Sequence, residues 1–600
     1  MARMMFFYLQ HLYHICCSFR QHNSRIYSSP HKHHFMFKIY NFSTIIILSV
    51  FLFNFSANAQ SWKWAKGSTG TSDFEGLFCA TDYAGNVYAT GFSAGDMSLG
   101  SYSFLTSTQV LAKYDNSGNL KWVVNTGVKT DPDGLVTDAY GYEYLMGVTG
   151  ASFTMGGRGF TMPPGVGNCY FIAKVDSFSN VIWIKSIGDI DGGLWGYKLL
   201  AIGQDGNLYV TCLYDNTPTL GSYTLANPGS IDQIAVVKLD SSGSILWAKG
   251  FTAPDHKLPT GITVSPSGSI YITGYFQSDT MMFGPYAVHD TAAKAPGNNT
   301  IYITKLDAGG NVVWATAAGG SNQFEITTAI AADDTGVYIT GYYSNATITF
   351  GPFTLPVPYK GTDAYGFLTR YDPSGNAVWA KVLRALFTSH SYPTYMLALD
   401  QCHNIWLSGS YGDASGIDTV DGRVWTCPPG SSLDPMVLAA WSSGGTMLNY
   451  TALTSGGDDF TDIAMDRFGK IFIEADYYID TMIVGNDTLT DPGISRIEHN
   501  FVACYYPELC AGKSPLIQAE NIQQGVPSLQ LYPNPATREL VAVYNDDIKE
   551  IVVQNITGKT VFCHTYSSHG KHVAVNVATL PTGMYFIKVN NLSIGKFMKE

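Results

Sequence analysis

Paired carboxylates are the first residues here whose spacing suggests chemistry. Asp131-Pro132-Asp133-Gly134 and Asp189-Ile190-Asp191-Gly192 each set two Asp two residues apart before a Gly, as a calcium loop begins. Neither continues to the further oxygen ligands and closing Glu of an EF-hand. Asp131, Asp133, Asp189 and Asp191 are therefore metal candidates on half a motif, and solvated turn residues are the plainer reading. Further acidic residues stand at corresponding points along the chain: Asp73, Glu75, Asp255, Glu325, Asp458 and Asp459. Together they suggest an acidic mouth on one face of the fold, attractive to cations or to a cationic ligand. Calcium is the one cofactor this pattern suggests, and no other is identified.

Nothing else has the spacing of a reactive centre. The chain has no HExxH, no P-loop and no GxGxxG opening a helix. His256, His390 and His403 stand apart from other metal-ligating residues and read as solvated or core residues. The expectation is that the protein is not an enzyme. The Asp of each Asp-x-x-Gly phrase reads as a turn residue, because one carboxylate cannot build a cage that needs several oxygens.

Those turns belong to a repeat. A strand, an Asp-x-x-Gly turn and a strand ending in Trp recur as LAKYDNSGNLKW, IAKVDSFSNVIW, VVKLDSSGSILW, ITKLDAGGNVVW and FLTRYDPSGNAVW. They end at Trp122, Trp183, Trp247, Trp314 and Trp379, and a worn copy ends at Tyr450, giving spacings of 61, 64, 67, 65 and 71 residues. A second turn of the same kind recurs in each period, as in TDYAGNVYATG and SPSGSIYITG. A Gly flanked by alternating apolar residues follows, as in LGSYSF and FGPFTL. The Asp carboxylate can accept from backbone N–H groups ahead of it, and Gly takes positive φ at little cost. Val, Ile, Tyr and Thr at alternating positions give strands with one buried face. Each period is read as four short strands drawn from the first hairpin, the Gly-centred phrase and the Asp-x-x-Gly turn, the last of them carrying Trp.

Four strands at near-equal spacing with an aromatic signature fit a β-propeller blade, and seven periods are counted. The seventh lacks its Trp strand after NFVACYY, Asn500 to Tyr506. The segment SWKWAKGSTG from Ser61 matches WAKG at Trp247. Strand Trp62–Lys66 is therefore expected to pair with Phe501–Tyr505 and close the ring, which leaves no free edge. The phrases resemble the bacterial β-propeller repeat family with D-x-x-G-N-x-x-W hairpins, over about Ser61 to Cys510. That resemblance implies a fold and says nearly nothing of function.

The flanks carry the address. MFKIYNFSTIIILSVFLFNFSANAQ from Met36 holds Lys38, an apolar run from Ile45 to Phe55 and Ala57-Asn58-Ala59. These are the parts of a secretory signal peptide, too short to span a bilayer. Segment 1–59 is read as a signal with a mis-assigned extension, the true start being Met36 and cleavage following Ala59. Residues 60–511 are read as the propeller, 512–527 as a polar linker and 528–600 as a small β-sandwich. The fold class is thus all-β, a seven-bladed propeller followed by that sandwich. No later stretch is long and apolar enough for a transmembrane segment. Residues 1–59 hold five basic and no acidic residues, so the remainder carries 30 basic against 47 acidic. That balance argues against nucleic acid as a partner. Of the eight scattered cysteines after residue 59, Cys402–Cys427 or Cys504–Cys510 are possible bridges, and Cys79 and Cys212 read as buried thiols.

Segment 529–600 opens with LQLYPNPA, continues with EIVVQNITGKTVF and ends with LPTGMYFIKVNNLSIGKFMKE. In this order the phrases resemble the type IX secretion C-terminal sorting domain, type A. The motif positions are Tyr532, Pro533, Asn534, Pro535, Gly583, Tyr585 and Lys588. The resemblance implies a β-sandwich that engages the outer-membrane type IX machinery and delivers its cargo to the cell surface or the medium. Asp-Thr-apolar triplets at Asp279, Asp290, Asp418, Asp480 and Asp487 resemble the O-glycosylation sequon of bacteria that use this route. The leading function is an exported, non-catalytic binding or scaffold propeller for an unknown ligand, glycan or protein. A secreted polysaccharide hydrolase or lyase and a surface adhesin are the alternatives.

Overall fold

Among the described residues of the computed structural model every element is a strand. The structure describes residues 61–507 and 530–599 apart from loop stretches, the longer being 190–196, 291–297, 358–364, 384–394, 411–416, 427–435, 454–459 and 491–496. The expected signal, the start at Met36, the Ala59 cleavage site and the linker 512–527 lie outside the described residues.

The architecture is an all-β propeller followed by a small two-sheet unit. Among the described residues seven antiparallel sheets repeat one strand order, inner to outer, with only hairpin connections between neighbours in six of them. Their inner strands are Phe74–Thr81, Pro132–Thr137, Leu200–Ile202, Lys257–Val264, Glu325–Asp333, Met396–Leu399 and Phe460–Met465. Each inner strand lies against the next, and the last lies against the first. The seventh sheet is made from both ends of this region: Ser61–Gly67 pairs antiparallel with His499–Tyr506, Trp62 opposite Tyr505 and Ala65 opposite Ala503. The pairing expected from the missing Trp strand is present.

The turns work as their sequence demands. Asp372 accepts from the N–H groups of Ser374 at 2.8 Å and Asn376 at 3.0 Å, and Gly375 takes φ of +88°. In the second period SFSN puts Ser179 in the glycine place, where it is held at φ +72°. The Thr-Gly pair of the second strands has its own cause. Inner strands bulge at Gly76/Phe78, Pro259/Gly261 and Thr327/Ala329. A Cβ on Gly91, Gly274 or Gly341 would run into the carbonyl oxygen of Glu75, Leu258 or Ile326 at those bulges.

The signature Trp joins one sheet to the next. Trp122 donates its indole N–H to the Ser177 carbonyl at 3.0 Å, Trp314 to Pro373 at 3.0 Å and Trp379 to Ser443 at 3.0 Å. Each carbonyl belongs to the Asp-x-x-Gly turn of the following sheet. The same carbonyls accept from Lys113, Lys305 and Arg370, one strand inward of each Trp. A Cβ on the turn glycines Gly118, Gly310, Gly375 or Gly445 would meet Trp64, Trp247, Trp314 or Trp379, so at these turns the indole lies on the surface that glycine leaves open. Trp64 obeys the same rule on the first sheet, donating to Asn116 at 3.3 Å. The N-terminal strand thus carries the clasp the seventh sheet would otherwise lack.

Two expectations need correction. The Gly-centred phrase is not a strand of the four-stranded sheet. It is a small hairpin of its own, such as Thr481–Val484 with Asp487–Thr490, and in two periods it pairs with the stretch where the chain leaves the preceding sheet, Met97 opposite Gly70 and Ile348 opposite Gly320. Its apolar side packs on its own blade's outer strand, the tip glycines Gly100, Gly221 and Gly284 lying against Leu120, Ile245 and Val312. The third strand of the sheet is the long run before each Asp-x-x-Gly turn, buried along both faces, as in Thr108–Tyr114. The pair Cys504–Cys510 is also excluded: Cys504 is a free, buried thiol, whereas Cys402 is disulfide-bonded. Cys79 and Cys212 are buried free thiols as expected.

The C-terminal unit packs a three-stranded against a four-stranded sheet around Leu540, Ile551, Val553, Val575, Tyr585, Ile587 and Phe597.

Two substitutions test this account by chemical denaturation. Trp314→Phe keeps the ring but removes the donor to Pro373, and should cost about 1–2 kcal/mol. Ser179→Gly relieves the left-handed backbone and should stabilise by about 1 kcal/mol; a loss of stability there would contradict the turn account.

Candidate functional site: the carboxylate pair inside the ring

The repeat itself shows where the chain departs from its own rule. The middle of each second strand holds Thr90, Thr211, Thr273, Thr340 or Ser408, with Met146 in the second sheet. Thr90, Thr273 and Thr340 donate to carbonyls of the neighbouring third strand, those of Val110, Tyr302 and Phe367. In the seventh sheet this place is Glu474. The residues opposite on the inner strands are Phe78, Gly261, Ala329 and Met396, but opposite Glu474 stands Asp462. Both carboxylates are buried, Asp462 at 2% and Glu474 at 1% exposure.

Lys198 supplies the cation. Its backbone bridges Gly261 at the entry to the third and fourth sheets, yet its Nζ lies 2.8 Å from Asp462 Oδ2 on the seventh. Those sheets are not neighbours in the packing order, so the side chain crosses the space the inner strands enclose. Oδ2 of Asp462 also accepts from the Cys79 N–H at 3.0 Å. Burial pulls the Lys198 ammonium down, but Asp462, Cys79 and Glu474 outweigh it and hold the group above the ordinary lysine value. Burial pushes the Glu474 carboxyl well up, and Asp476 and Asp462 push it further. Glu474 therefore keeps a proton that an ordinary Glu would release.

The joint between the seventh and first sheets continues this theme. Asp476 accepts from the Gly76 N–H at 3.0 Å and from Asn500 Nδ2 at 3.4 Å. Its carboxyl is raised by burial, then by Glu498. Elsewhere the equivalent joint uses hydroxyls, as between Thr260 and Thr327 at 2.6 Å.

The sequence-predicted residues fall otherwise. The acidic residues that can be described stand at or beside the entries to the inner strands, hence at one face, but only Asp73, Glu75 and Asp131 influence one another. Burial, then Asp131 and Asp73, raise the Glu75 carboxyl. Asp133 is buried and acts on Tyr170 and Cys212 instead. Asp131 and Asp133 thus turn toward different neighbours. Asp189 closes a strand, while its side chain, Asp191, Asp458 and Asp459 lie outside the described residues. Among the described residues no three His, Cys, Asp or Glu side chains group as metal ligands. Asp255 accepts from the His256 N–H, Glu325 is buried, and His403 Nδ1 lies 2.7 Å from Asp333 Oδ2. His390 lies outside the described residues. Of the Asp-Thr triplets, Thr481 and Thr488 are exposed on one small hairpin.

In the C-terminal unit Tyr532 ends a strand paired with Val541, and Pro533, Asn534 and Pro535 lie outside the described residues. Gly583 opens the strand that carries Tyr585 and Lys588. The Tyr585 hydroxyl donates to the Pro581 carbonyl at 2.8 Å, and its ring stacks on Phe597.

Residues 530–599 match the family model of the secretion system C-terminal sorting domain. Upstream, the chain is 23% identical over 289 residues to an uncharacterized WD repeat-containing protein, L264, of Acanthamoeba polyphaga mimivirus, covering 43% of this chain and 20% of that protein. It is 27% identical over 202 residues to the regulatory protein FlaEY of Caulobacter vibrioides, covering 33% and 20%. The chain thus spans about a fifth of the length of these relatives. Similar solved structures include the Pan2 WD40 domain of Neurospora crassa, with 8% identity, a TM-score of 0.34 and coverage of 72% and 89%. Another is PorZ, a surface component of the type IX secretion system of Porphyromonas gingivalis, with 10% identity, a TM-score of 0.16 and coverage of 89% and 100%. The tail places the chain among exported proteins of the outer surface or medium and implies contact with secretion machinery. Among the described residues no helix is long and apolar enough to cross a membrane.

The raised carboxyls set a pH dependence. Glu474, Asp476, Glu75 and Asp466 hold protons in the folded state at pH values where the unfolded chain has lost them. Stability therefore falls as pH rises from the ordinary carboxyl range through their raised values. The turn residues Asp115, Asp307 and Asp372 are lowered, so stability also falls as acid protonates them. The melting temperature should peak at mildly acidic pH. Glu474→Thr, which restores the repeat's own residue, should flatten the alkaline slope; an unchanged slope would contradict the assignment.

Proposed function

We propose that the chain is an exported, non-catalytic binding or display scaffold whose seven sheets close as one ring and whose tail directs it through type IX secretion. The sorting-domain match at residues 530–599 carries the export half of this reading. The commitment of the propeller's polar side chains supports the other half. Turn Asp, second-strand Tyr, third-strand Lys and outer-strand Trp are engaged with one another or with the next sheet, as Asp82, Tyr88, Lys113 and Trp122 are. The one unusual carboxylate pair is sealed from solvent, which disfavours a hydrolase or lyase working on polymers. No cofactor enters this reading, and the external partner is a glycan or a protein of the extracellular space.

Fusing Leu529–Glu600 with its linker to a periplasmic reporter tests the export half. The reporter should reach the surface or medium of a secretion-competent host; retention in the periplasm would overturn it.

A further inference from the structure

We propose that Lys198 and Asp462 condense to an intramolecular isopeptide bond, with Glu474 as the proton carrier, so that the ring is locked across its centre by a covalent strut.

Three observations carry this. The amine and carboxyl already touch, with Nζ 2.8 Å from Oδ2. The acid beside them is held in place: Glu474 is the cross-strand partner of Asp462, which sets their Cβ atoms about 5 Å apart, and no more than 2% of either residue is exposed. Finally, the pair is peculiar to the seventh sheet, where the sister sheets carry a hydroxyl or apolar residue opposite an apolar one or glycine. A buried pair of like carboxylates opposite each other is costly, and a salt bridge to one Lys does not need the second carboxyl. A condensation does.

The chemistry balances without an oxidant or a co-reactant. Glu474 first gives its proton to Oδ1 of Asp462 and takes one from the Lys198 ammonium, leaving a neutral amine and a neutral acid beside a reprotonated Glu474. The Nζ lone pair attacks Cγ of Asp462. Oδ2, on which charge develops, is held by the Cys79 N–H at 3.0 Å, as a backbone donor holds an oxyanion. Glu474 again gives its proton to Oδ1 and takes one from Nζ. The Cγ–Oδ1 bond breaks, water leaves, and an amide joins two residues 264 positions apart in the chain. The groups facing Glu474 include Asp476, Asp462, Lys198, Cys79, Tyr114, Asn500 and the Thr90 backbone N–H; none of these is a second amine that could compete. Lys198 is a third exposed, which gives the released water a way out through the centre of the ring.

Peptide mapping by mass spectrometry of the full secreted chain decides the matter. The expected result is a branched peptide joining the segments of Lys198 and Asp462, about 18 Da below their sum. Glu474→Gln, which keeps the shape and loses the proton, should give the two separate peptides, as should Lys198→Arg, which keeps the ion pair. Separate peptides from the wild-type chain would overturn the proposal. So would an 18 Da loss that persists in Lys198→Arg, which would place the dehydration elsewhere.

Discussion

The indole N–H of Trp64, Trp122, Trp247, Trp314 and Trp379, directed in each case at the turn of the next sheet, is the contact on which the propeller depends. A four-stranded sheet of this length buries only part of its apolar surface, so it needs a neighbour, and the neighbour must be held in register. The Trp does this with one hydrogen bond and a flat surface against glycine. The Asp-x-x-Gly turn therefore has two duties. Its Asp fixes the backbone, and its Gly leaves room for the indole of the preceding sheet, as at Gly375 beneath Trp314. A Lys or Arg one strand inward donates to the same carbonyl and lies over the second-strand Tyr, as Lys113 does over Tyr88 at 4.7 Å. The phrase that repeats along the sequence is thus the written form of one inter-sheet joint.

Closure follows from the same rule. The seventh sheet has no Trp strand of its own downstream, and Trp64 comes from the other end of the region. Its contacts with Asn116 and Gly118 match those of the other Trp residues with their turns. The joint nevertheless gathers several ionisable side chains. Asp462, Glu474 and Asp476 gather there with Lys198 as their cation, where other joints use Thr. The seventh sheet, assembled from both ends of this region, carries the raised carboxyls of Glu474, Asp476 and Asp466, and it is there that alkaline pH acts.

Much of this was legible in the residues. The Asp-x-x-Gly turns, the Trp strand and the borrowed N-terminal strand follow from local phrases, and local phrases are what periodicity reads well. The Gly-centred phrase was misread as a sheet strand because its alternation is the same as a strand's. Only packing shows that it folds over the outer strand, where it shields an edge that would invite association. The acidic connections promised a shared mouth, but an inner-strand bulge turns Asp133 inward while Asp131 faces Glu75. The site around Lys198 was out of reach for a different reason: its partners are 264 residues away. One signal was available, the replacement of the repeat's Thr by Glu474, and it becomes informative once the second strands are aligned on one another.

Native-state hydrogen exchange along His499–Tyr506 tests the central claim most directly, because this strand has a partner on its outer side only if Ser61–Gly67 is seated there. The account expects the amides of Phe501–Tyr505 to be as protected as those of Thr300–Leu306, the corresponding strand of the fourth sheet. Exchange at the rate of an open sheet edge would contradict it.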